Sequence, residues 1–442
     1  MTELVACCIL IIVLMFSGVP VAYSFLCGSL FYLLISHQSL GAVVTTSFNA
    51  VNSYAFLTIP LFILAGRLMI ATTIALRLVM LAEVLLRYIK GGMASAIVLA
   101  AAFFGTITGS DIATATAVGS IMFPRMIKCG WAKPYIGSVL AVAAPIGFMI
   151  PPNTNAIMYA TVSSASVPAL FLSTIIPGII WVILIMVINR LSYHKYYHPE
   201  NADDSIKKEN ELREASNIPR TIEIKNSMVT AIPAIVMPVI ILGGIYSGVF
   251  TATEAGGIGC LYAIICGIIL RASSWKSTWN CFTETSKDLG VILLIAATSA
   301  VFNRILLLAQ MPSKISHAFL SVTNQPNIII LFIALIFLIA GCFLSPPVII
   351  FVITPLLLPT ARMIGMGDVQ FGVILMVAIG IGLVTPPVAG NLFISARMAK
   401  INIAEMIPSL MPYLFFASIP MLILVCYVPI LSTWLPGLFG YN

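Results

Sequence analysis

The stretch Ile146-Gly-Phe-Met-Ile-Pro-Pro152 returns as Ile381-Gly-Leu-Val-Thr-Pro-Pro387, an offset of 235 residues. The same offset carries Ser110 onto Ser345, Pro124 onto Pro359 and Pro177 onto Pro412, and Ser17-Gly-Val recurs as Ser247-Gly-Val at a slightly smaller spacing. A Pro-Pro pair removes two backbone donors and clashes with the preceding turn, so neither segment continues as one unbroken helix. An internal repeat of membrane segments, each copy interrupted at bilayer depth, is the pattern of secondary transporters.

The reading requires a membrane, and composition supplies one. Sixty per cent of the 442 residues are hydrophobic, 8% are charged, and the mean hydropathy is +1.09. Such a chain is a polytopic all-α membrane protein. Long continuous apolar runs exclude a β-barrel, whose strands alternate over about ten residues. The first run follows Glu3 with no basic segment before it, so it is expected to be a retained helix and not a cleaved signal peptide. The net charge of +7 is no nucleic-acid footprint, because Lys and Arg sit in loops, where they set topology. The nine Cys lie scattered in apolar runs without a CxxC, and they read as small core or lipid-facing residues.

Spanning helices are expected at about 4–17, 20–36, 51–72, 168–190, 226–246, 252–270, 289–310 and 405–432. The first two meet at Gly18-Val-Pro20, which reads as a tight turn. Residues 94–124 instead form two apolar arms of about eleven residues around a polar centre, GTITGSD (105–111), each arm too short to cross about 30 Å of hydrocarbon. Arg87 and Lys90 precede this stretch and Arg125, Lys128 and Lys133 follow it, which predicts a re-entrant hairpin with both ends in the cytoplasm. Its counterpart, 328–359, is centred on FLSPP (343–347). Residues 134–165 and 369–397, cut by Pro151-Pro152 and Pro386-Pro387, are expected to be discontinuous helices.

Each repeat, 1–190 and 226–442, then contains five crossings and one hairpin. Five is odd, so the second repeat is expected to lie inverted. The linker 191–225 falls in the cytoplasm as a mobile connector, and both termini fall in the periplasm.

Hairpin tips and helix breaks leave backbone groups without intrahelical partners, so they must be buried or line a site. Free carbonyls suit Na+, and half-helix N-termini suit a carboxylate. Thr106, Thr108, Ser110 and Asp111 at the first tip, Asn153, Thr154 and Asn155 after the first break, Ser345 at the second tip, and Thr385, Gly390 and Asn391 around the second break offer oxygen ligands and no soft ones. Asp111 has three readings: a cap for the second hairpin arm, an ion ligand, or a proton carrier. Thr106, Asn155, Ser345 and Asn391 are candidate substrate contacts, joined by Arg304, an arginine deep in an apolar run. Arg362 and Arg397 read as interface anchors, and Glu254 beside Thr251 reads as a capping residue.

Four segments carry a resemblance: GTITGSDIATATAVGSIMFPRM (105–126), GFMIPPNTNAIMYA (147–160), LFLSTIIPGI (170–179) and GLVTPPVAGNLFISARMAKI (382–401). They resemble the large membrane subunit of TRAP, the tripartite ATP-independent periplasmic transporters. The resemblance implies an elevator-type fold of the ion transporter superfamily. It also implies Na+-coupled import of carboxylates such as four-carbon dicarboxylates, sialic acid or other sugar acids across the bacterial inner membrane. Two partners are implied, a small four-helix membrane subunit and a periplasmic substrate-binding protein. Carried residue by residue, one Na+ site falls on Gly105, Thr108, Gly109 and Ser110 with Pro151, Pro152 and Asn153, and the other on Ser345 and Pro346 with Thr385, Pro386 and Pro387. The chain departs from the family pattern at Asp111, where a small residue is usual, and at Pro346-Pro347, where an acidic residue is frequent.

A stand-alone Na+/carboxylate symporter is the nearest alternative. An intramembrane enzyme is disfavoured, because His37, His194, His198 and His317 all lie near helix ends or loops and the chain contains neither HExxH nor GxSxG. No cofactor is expected beyond Na+ as coupling ion.

Overall fold

The computed structural model describes residues 2–72, 74–163, 165–204 and 219–441. Among them, regular structure is helical apart from one isolated bridge between Trp131 and Tyr197. The first half runs α1 (Thr2–Phe16), α2 (Val21–Ile35), α3 (Gly41–Val51), α4 (Tyr54–Ala71), α5 (Ile74–Leu86), α6 (Gly92–Thr108), α7 (Asp111–Lys128), α8 (Lys133–Ala143), α9 (Ile146–Met149), α10 (Thr154–Val162) and α11 (Val167–Tyr196). The second half runs α12 (Arg220–Tyr246), α13 (Ala252–Ile269), α14 (Trp275–Leu308), α15 (Met311–Val322), α16 (Pro326–Phe343), α17 (Pro346–Met363, with a π-helical stretch at Ile349–Ile353), α18 (Asp368–Gly382), α19 (Gly390–Ala399), α20 (Ile403–Tyr427) and α21 (Ile430–Leu438).

Local chemistry sets many boundaries. Gly18 takes a left-handed φ of 85°, and the chain turns there so that α1 and α2 pack side by side, the Cys7 thiol donating to the Gly28 carbonyl at 3.1 Å. Thr251 and Glu254 close a capping box at the start of α13: the Thr251 N–H donates to Glu254 Oε2 at 2.8 Å, and the Glu254 N–H donates to Thr251 Oγ1 at 3.3 Å. Ser53, Ser166 and Ser274 cap α4, α11 and α14.

Several elements differ from the sequence expectation. The hairpin arms are longer than eleven residues: α6 has 17, and α7, α16 and α17 have 18 each, roughly 27 Å for 18. The helix runs through the polar Thr106-Ile-Thr108 stretch and stops only at Gly109, whose φ of 57° allows a left-handed C-cap. Length therefore does not separate hairpin arms from spans. Among the described residues, eight helices are long and apolar enough to cross a membrane, α16 and α17 included, and a ninth arises if Lys133–Met149 and Thr154–Val162, bent by 52°, form one span. The run at 289–310 belongs to the 34-residue α14, whose charged first turns precede the apolar part. The short helices α3, α5 and α15 were not expected, because each falls below bilayer length and α5 carries Arg77 and Glu83.

The stretch 191–225 is more ordered at its ends than a free connector. Residues 191–196 extend α11, and 220–225 open α12. Between them the chain docks on the α7–α8 junction: His198 N–H donates to Gly130 O at 3.0 Å, Ala132 N–H to Tyr196 O at 3.0 Å, and Asp203 N–H to Lys128 O at 2.8 Å. Trp131 stacks on Tyr135 at 5.5 Å. The middle of the connector, 205–218, lies outside the described residues.

The halves interlock instead of packing separately. Ser138 of α8 shares a hydrogen bond with Ser409 of α20 at 2.8 Å, Thr58 of α4 with Thr253 of α13 at 2.7 Å, and Tyr159 of α10 donates to Asp368 O at 2.6 Å. Arg67 of α4 pairs with Asp288 of α14. At the base of the first hairpin, the buried Glu83 carboxylate accepts from Arg125 of α7 at 2.9 Å and from Arg87 at 3.3 Å, and Arg87 reaches Glu223 of α12 at 2.5 Å. At the matching place in the second half, Ser316 of α15 shares a neutral hydrogen bond with Thr360 of α17 at 2.8 Å.

Candidate functional site

The tip of the first hairpin closes on the first helix break. Thr154, in the opening turn of α10, donates its hydroxyl to the Gly109 carbonyl at 3.1 Å. A Cβ on Gly109 would lie 2.9 Å from Pro152 O and 3.0 Å from Asn153 Cα, so backbone meets backbone here. One turn earlier, a Cβ on Gly105 would lie 2.5 Å from Gly147 Cα. Only glycine permits such approaches. Gly105, Thr108, Gly109, Pro151, Pro152 and Asn153 are thus brought together, and all are buried. Both Pro-Pro peptide bonds, 151–152 and 386–387, are cis.

The side chains around this junction are partly committed. Ser110 Oγ accepts from Ala113 N–H at 3.4 Å and caps α7, so the cap is Ser110 and Asp111 stands in the first turn. Asn153 Oδ1 accepts from Ala156 N–H at 2.6 Å and caps α10, while its Nδ2 is buried without a partner. Thr108 Oγ1 donates to Phe104 O at 3.2 Å and shares a hydrogen bond with Thr114 Oγ1 at 3.2 Å. Thr106 turns back onto its own helix, donating to Phe103 O at 2.7 Å. Asn155 is buried in the first turn of α10.

The second tip and break are more open. Ser345 is exposed, and its carbonyl accepts from Val348 N–H at 3.0 Å to begin α17. The arms approach at Gly341 and Gly382, where a Cβ on Gly382 would lie 2.6 Å from Gly341 Cα. Thr385 and Pro386 are half-buried and Pro387 is exposed. Thr385 Oγ1 donates to Ile381 O at 2.7 Å. Among the described residues no hydrogen bond joins Ser345 or Pro346 to 385–391. Gly390 starts α19, and the Asn391 N–H donates to Leu383 O at 3.0 Å across the break.

One relationship crosses the halves. The α7 and α19 helices pack with their N-terminal ends on the same side: the Asn391 amide faces the Asp111 carboxylate, and farther along a Cβ on Gly119 would meet Met398 Cε at 2.8 Å. Asn391 is 1% exposed, yet neither of its amide atoms completes a hydrogen bond of ordinary geometry, and Ser395 Oγ one turn on is likewise buried without a partner. Buried amides and hydroxyls are normally satisfied, so this pocket of unspent polar groups is unusual. The donors are all oxygen or amide groups, and among the described residues no cluster of three His, Cys, Asp or Glu is present.

Arg304 lies elsewhere. It is exposed, and its Nη1 donates to Thr46 Oγ1 of α3 at 3.0 Å; its neighbour Asn303 turns the other way and donates to Phe351 O of the second hairpin at 2.5 Å. Arg362 is held by a two-point pair with Asp368, at 2.8 and 2.6 Å. Gly66, which packs the first junction, stands in an apolar run with a partner remote in the chain and carried no sequence signal; Thr114 and Gly147, which also pack it, lie in the segments that carry the repeat and the resemblance, but nothing in those segments shows that the two touch.

A family model described as "Tripartite ATP-independent periplasmic transporter, DctM component" matches residues 8–431. The chain belongs to this family. It is a multi-pass transporter permease and not an enzyme. This DctM component is 31% identical over 418 residues to the C4-dicarboxylate TRAP transporter large permease protein DctM of Pseudomonas aeruginosa, covering 94% of each chain. It is 30% identical over 422 residues to the isethionate TRAP transporter permease protein DctMQ of Oleidesulfovibrio alaskensis, covering 95% of this chain and 64% of that one. Its fold is similar to that of the YdaH transporter of Alcanivorax borkumensis, with a TM-score of 0.59 at 14% identity over 87% of this chain and 86% of the other. A tripartite transporter implies two further components beside this one.

Proposed function

We propose that this DctM component is the transport subunit of a Na+-coupled, binding-protein-dependent importer of an organic acid in the bacterial inner membrane. The observation that carries the reading is the junction at which Thr154 and Gly109 tie the first tip to the first break. Backbone carbonyls there have a second lone pair to offer, and Thr108, Ser110 and Asn153 add hard oxygen donors, which suits Na+. The second site in this reading comprises Ser345, Pro346, Thr385, Pro386, Pro387, Gly390 and Asn391; Asp111, which the sequence groups with the first site, faces Asn391 and so stands between the two.

Na+ bound at the two junctions orders the tips. The substrate carboxylate then settles between them, where the N-terminal ends of α7, α10, α17 and α19 present partial positive charge. Thr106, Asn155, Ser345 and Asn391 are the contacts proposed for it; the position of Arg304 argues against including it. The hairpins and broken helices then move together past the remaining helices, in the manner of an elevator, between two inverted repeats whose termini face the periplasm and whose connector 191–225 faces the cytoplasm. The partners are a small four-helix membrane subunit and a periplasmic substrate-binding protein. Support for the first comes from DctMQ, where about a third of the relative extends beyond the part this chain covers. The substrate belongs to the acids of the family, a four-carbon dicarboxylate, sialic acid or another sugar acid.

The test is uptake into proteoliposomes carrying this chain with its small subunit, under an inward Na+ gradient, with a carboxylate panel and with or without the binding protein. Uptake requiring both Na+ and the binding protein supports the proposal. Uptake indifferent to Na+ removes the coupling, and Na+-driven uptake without the binding protein makes the chain a stand-alone symporter.

A further inference from the structure

A cavity of about 220 Å³ lies between the C-terminal end of α2, the first turn of α3 and the last turns of α14. Its polar lining is Arg304, Gln38 and Ser39, and its apolar lining includes Leu33, Val43 and Leu308. We propose that this cavity binds the headgroup of an anionic phospholipid, with Arg304 as the phosphate ligand.

The chemistry begins with the guanidinium. Arg304 has five N–H donors, of which one is engaged by Thr46 Oγ1, and among the described residues it pairs with no carboxylate. An arginine within an apolar helix and lacking a counter-charge calls for an anion. The first turn of α3 forms the facing wall through Ala42 and Val43, whose N–H groups are already taken by the Ser39 and Leu40 carbonyls at 3.4 and 3.0 Å, so the charge at the cavity comes from Arg304.

The surroundings select the kind of anion. Leu34, Leu40, Val44 and Leu307, on the same helix ends, are exposed by 61%, 46%, 72% and 60%. Such an apolar rim around a charged pocket suits the acyl chains of a lipid whose headgroup enters the pocket. A phosphate carried on a lipid satisfies both the charged pocket and the apolar rim, whereas free phosphate or a small carboxylate satisfies only the pocket. An arginine that merely snorkels to the headgroup layer needs no cavity built around it. This site is separate from the tips, so it stands or falls independently of the Na+ reading.

The experiment is native mass spectrometry of the purified, delipidated full chain titrated with phosphatidylglycerol or phosphatidylcholine. Phosphatidylglycerol is expected to be retained in preference, and Arg304→Gln to weaken its binding roughly tenfold. Val43→Trp, which fills the cavity and keeps the charge, should weaken it as well, while Lys276→Gln at the exposed opposite end of α14 should not. Equal retention of the two lipids overturns the proposal. So does wild-type phosphatidylglycerol binding in both Arg304→Gln and Val43→Trp. Displacement by inorganic phosphate or a transported carboxylate at matching concentration also overturns it, in favour of a soluble-anion site.

Discussion

Thr154 and Gly109 lie 45 residues apart and are joined by one hydrogen bond of 3.1 Å, the hydroxyl of the half-helix α10 donating to the carbonyl at the hairpin tip. Around it, Gly109 and Gly105 allow the two backbones to touch. Replacing Gly109 by Ala adds about 1–2 kcal/mol for the left-handed conformation alone. The added Cβ also meets Pro152 O at 2.9 Å. Gly109→Ala is therefore expected to lower the melting temperature of the purified protein and to raise the Na+ concentration for half-maximal uptake; an unchanged Na+ dependence would separate the junction from ion binding.

Asn391 offers a cleaner separation of stability from function. Its amide faces the Asp111 carboxylate but neither buried amide atom completes a hydrogen bond of ordinary geometry, and a buried group left so costs about 1–3 kcal/mol. In Na+-free buffer Asn391→Ala should leave thermal stability equal or higher. The same variant should need several-fold more Na+ for uptake. If uptake keeps its wild-type Na+ dependence, Asn391 is no part of an ion site.

Asp111 is tested by two variants read together. Asp111→Asn keeps the size and hydrogen-bonding shape of the first-turn residue but removes its charge, and Asp111→Ala removes both. Because Ser110 is the cap, Asp111→Asn should fold with near wild-type stability. A raised Na+ requirement in both variants assigns the carboxylate to the coupling ion. A loss of stability in Asp111→Ala with Na+ dependence intact in both makes Asp111 structural.

Glu83 anchors the base of the first hairpin, holding Arg125 at 2.9 Å with its carboxylate 8% exposed. Glu83→Gln leaves two guanidinium groups without this counter-charge. The arginines are 25–32% exposed, so the cost falls between surface and buried pairs, about 1–3 kcal/mol. A double-mutant cycle with Arg125→Met, followed by thermal unfolding, should show positive coupling. Additive effects would show that the pair does not hold the hairpin.

The apolar runs and the Pro-Pro pairs made the membrane class and the helix breaks near Gly109, Pro151-Pro152, Ser345 and Pro386-Pro387 legible from sequence, because these depend on local backbone chemistry. Proline cannot continue the ladder, and a residue such as Gly109 ends a helix wherever it stands. Arm length was misjudged for a related reason: the polarity of Thr106-Ile-Thr108 suggested a loop, whereas a helix tolerates those residues when their hydroxyls donate to carbonyls of the preceding turn, as both threonines do. What the sequence determined by itself was therefore where the chain breaks and what donors stand at each break. Only the tertiary structure decided which breaks meet. It set Asn391 of one half against Asp111 of the other, closed the first junction while leaving the second open, and carried Arg304 to a cavity with α2 and α3. Those outcomes depend on packing between segments up to 280 residues apart, where contact is selected by shape and burial across the whole fold and leaves no periodicity in the chain.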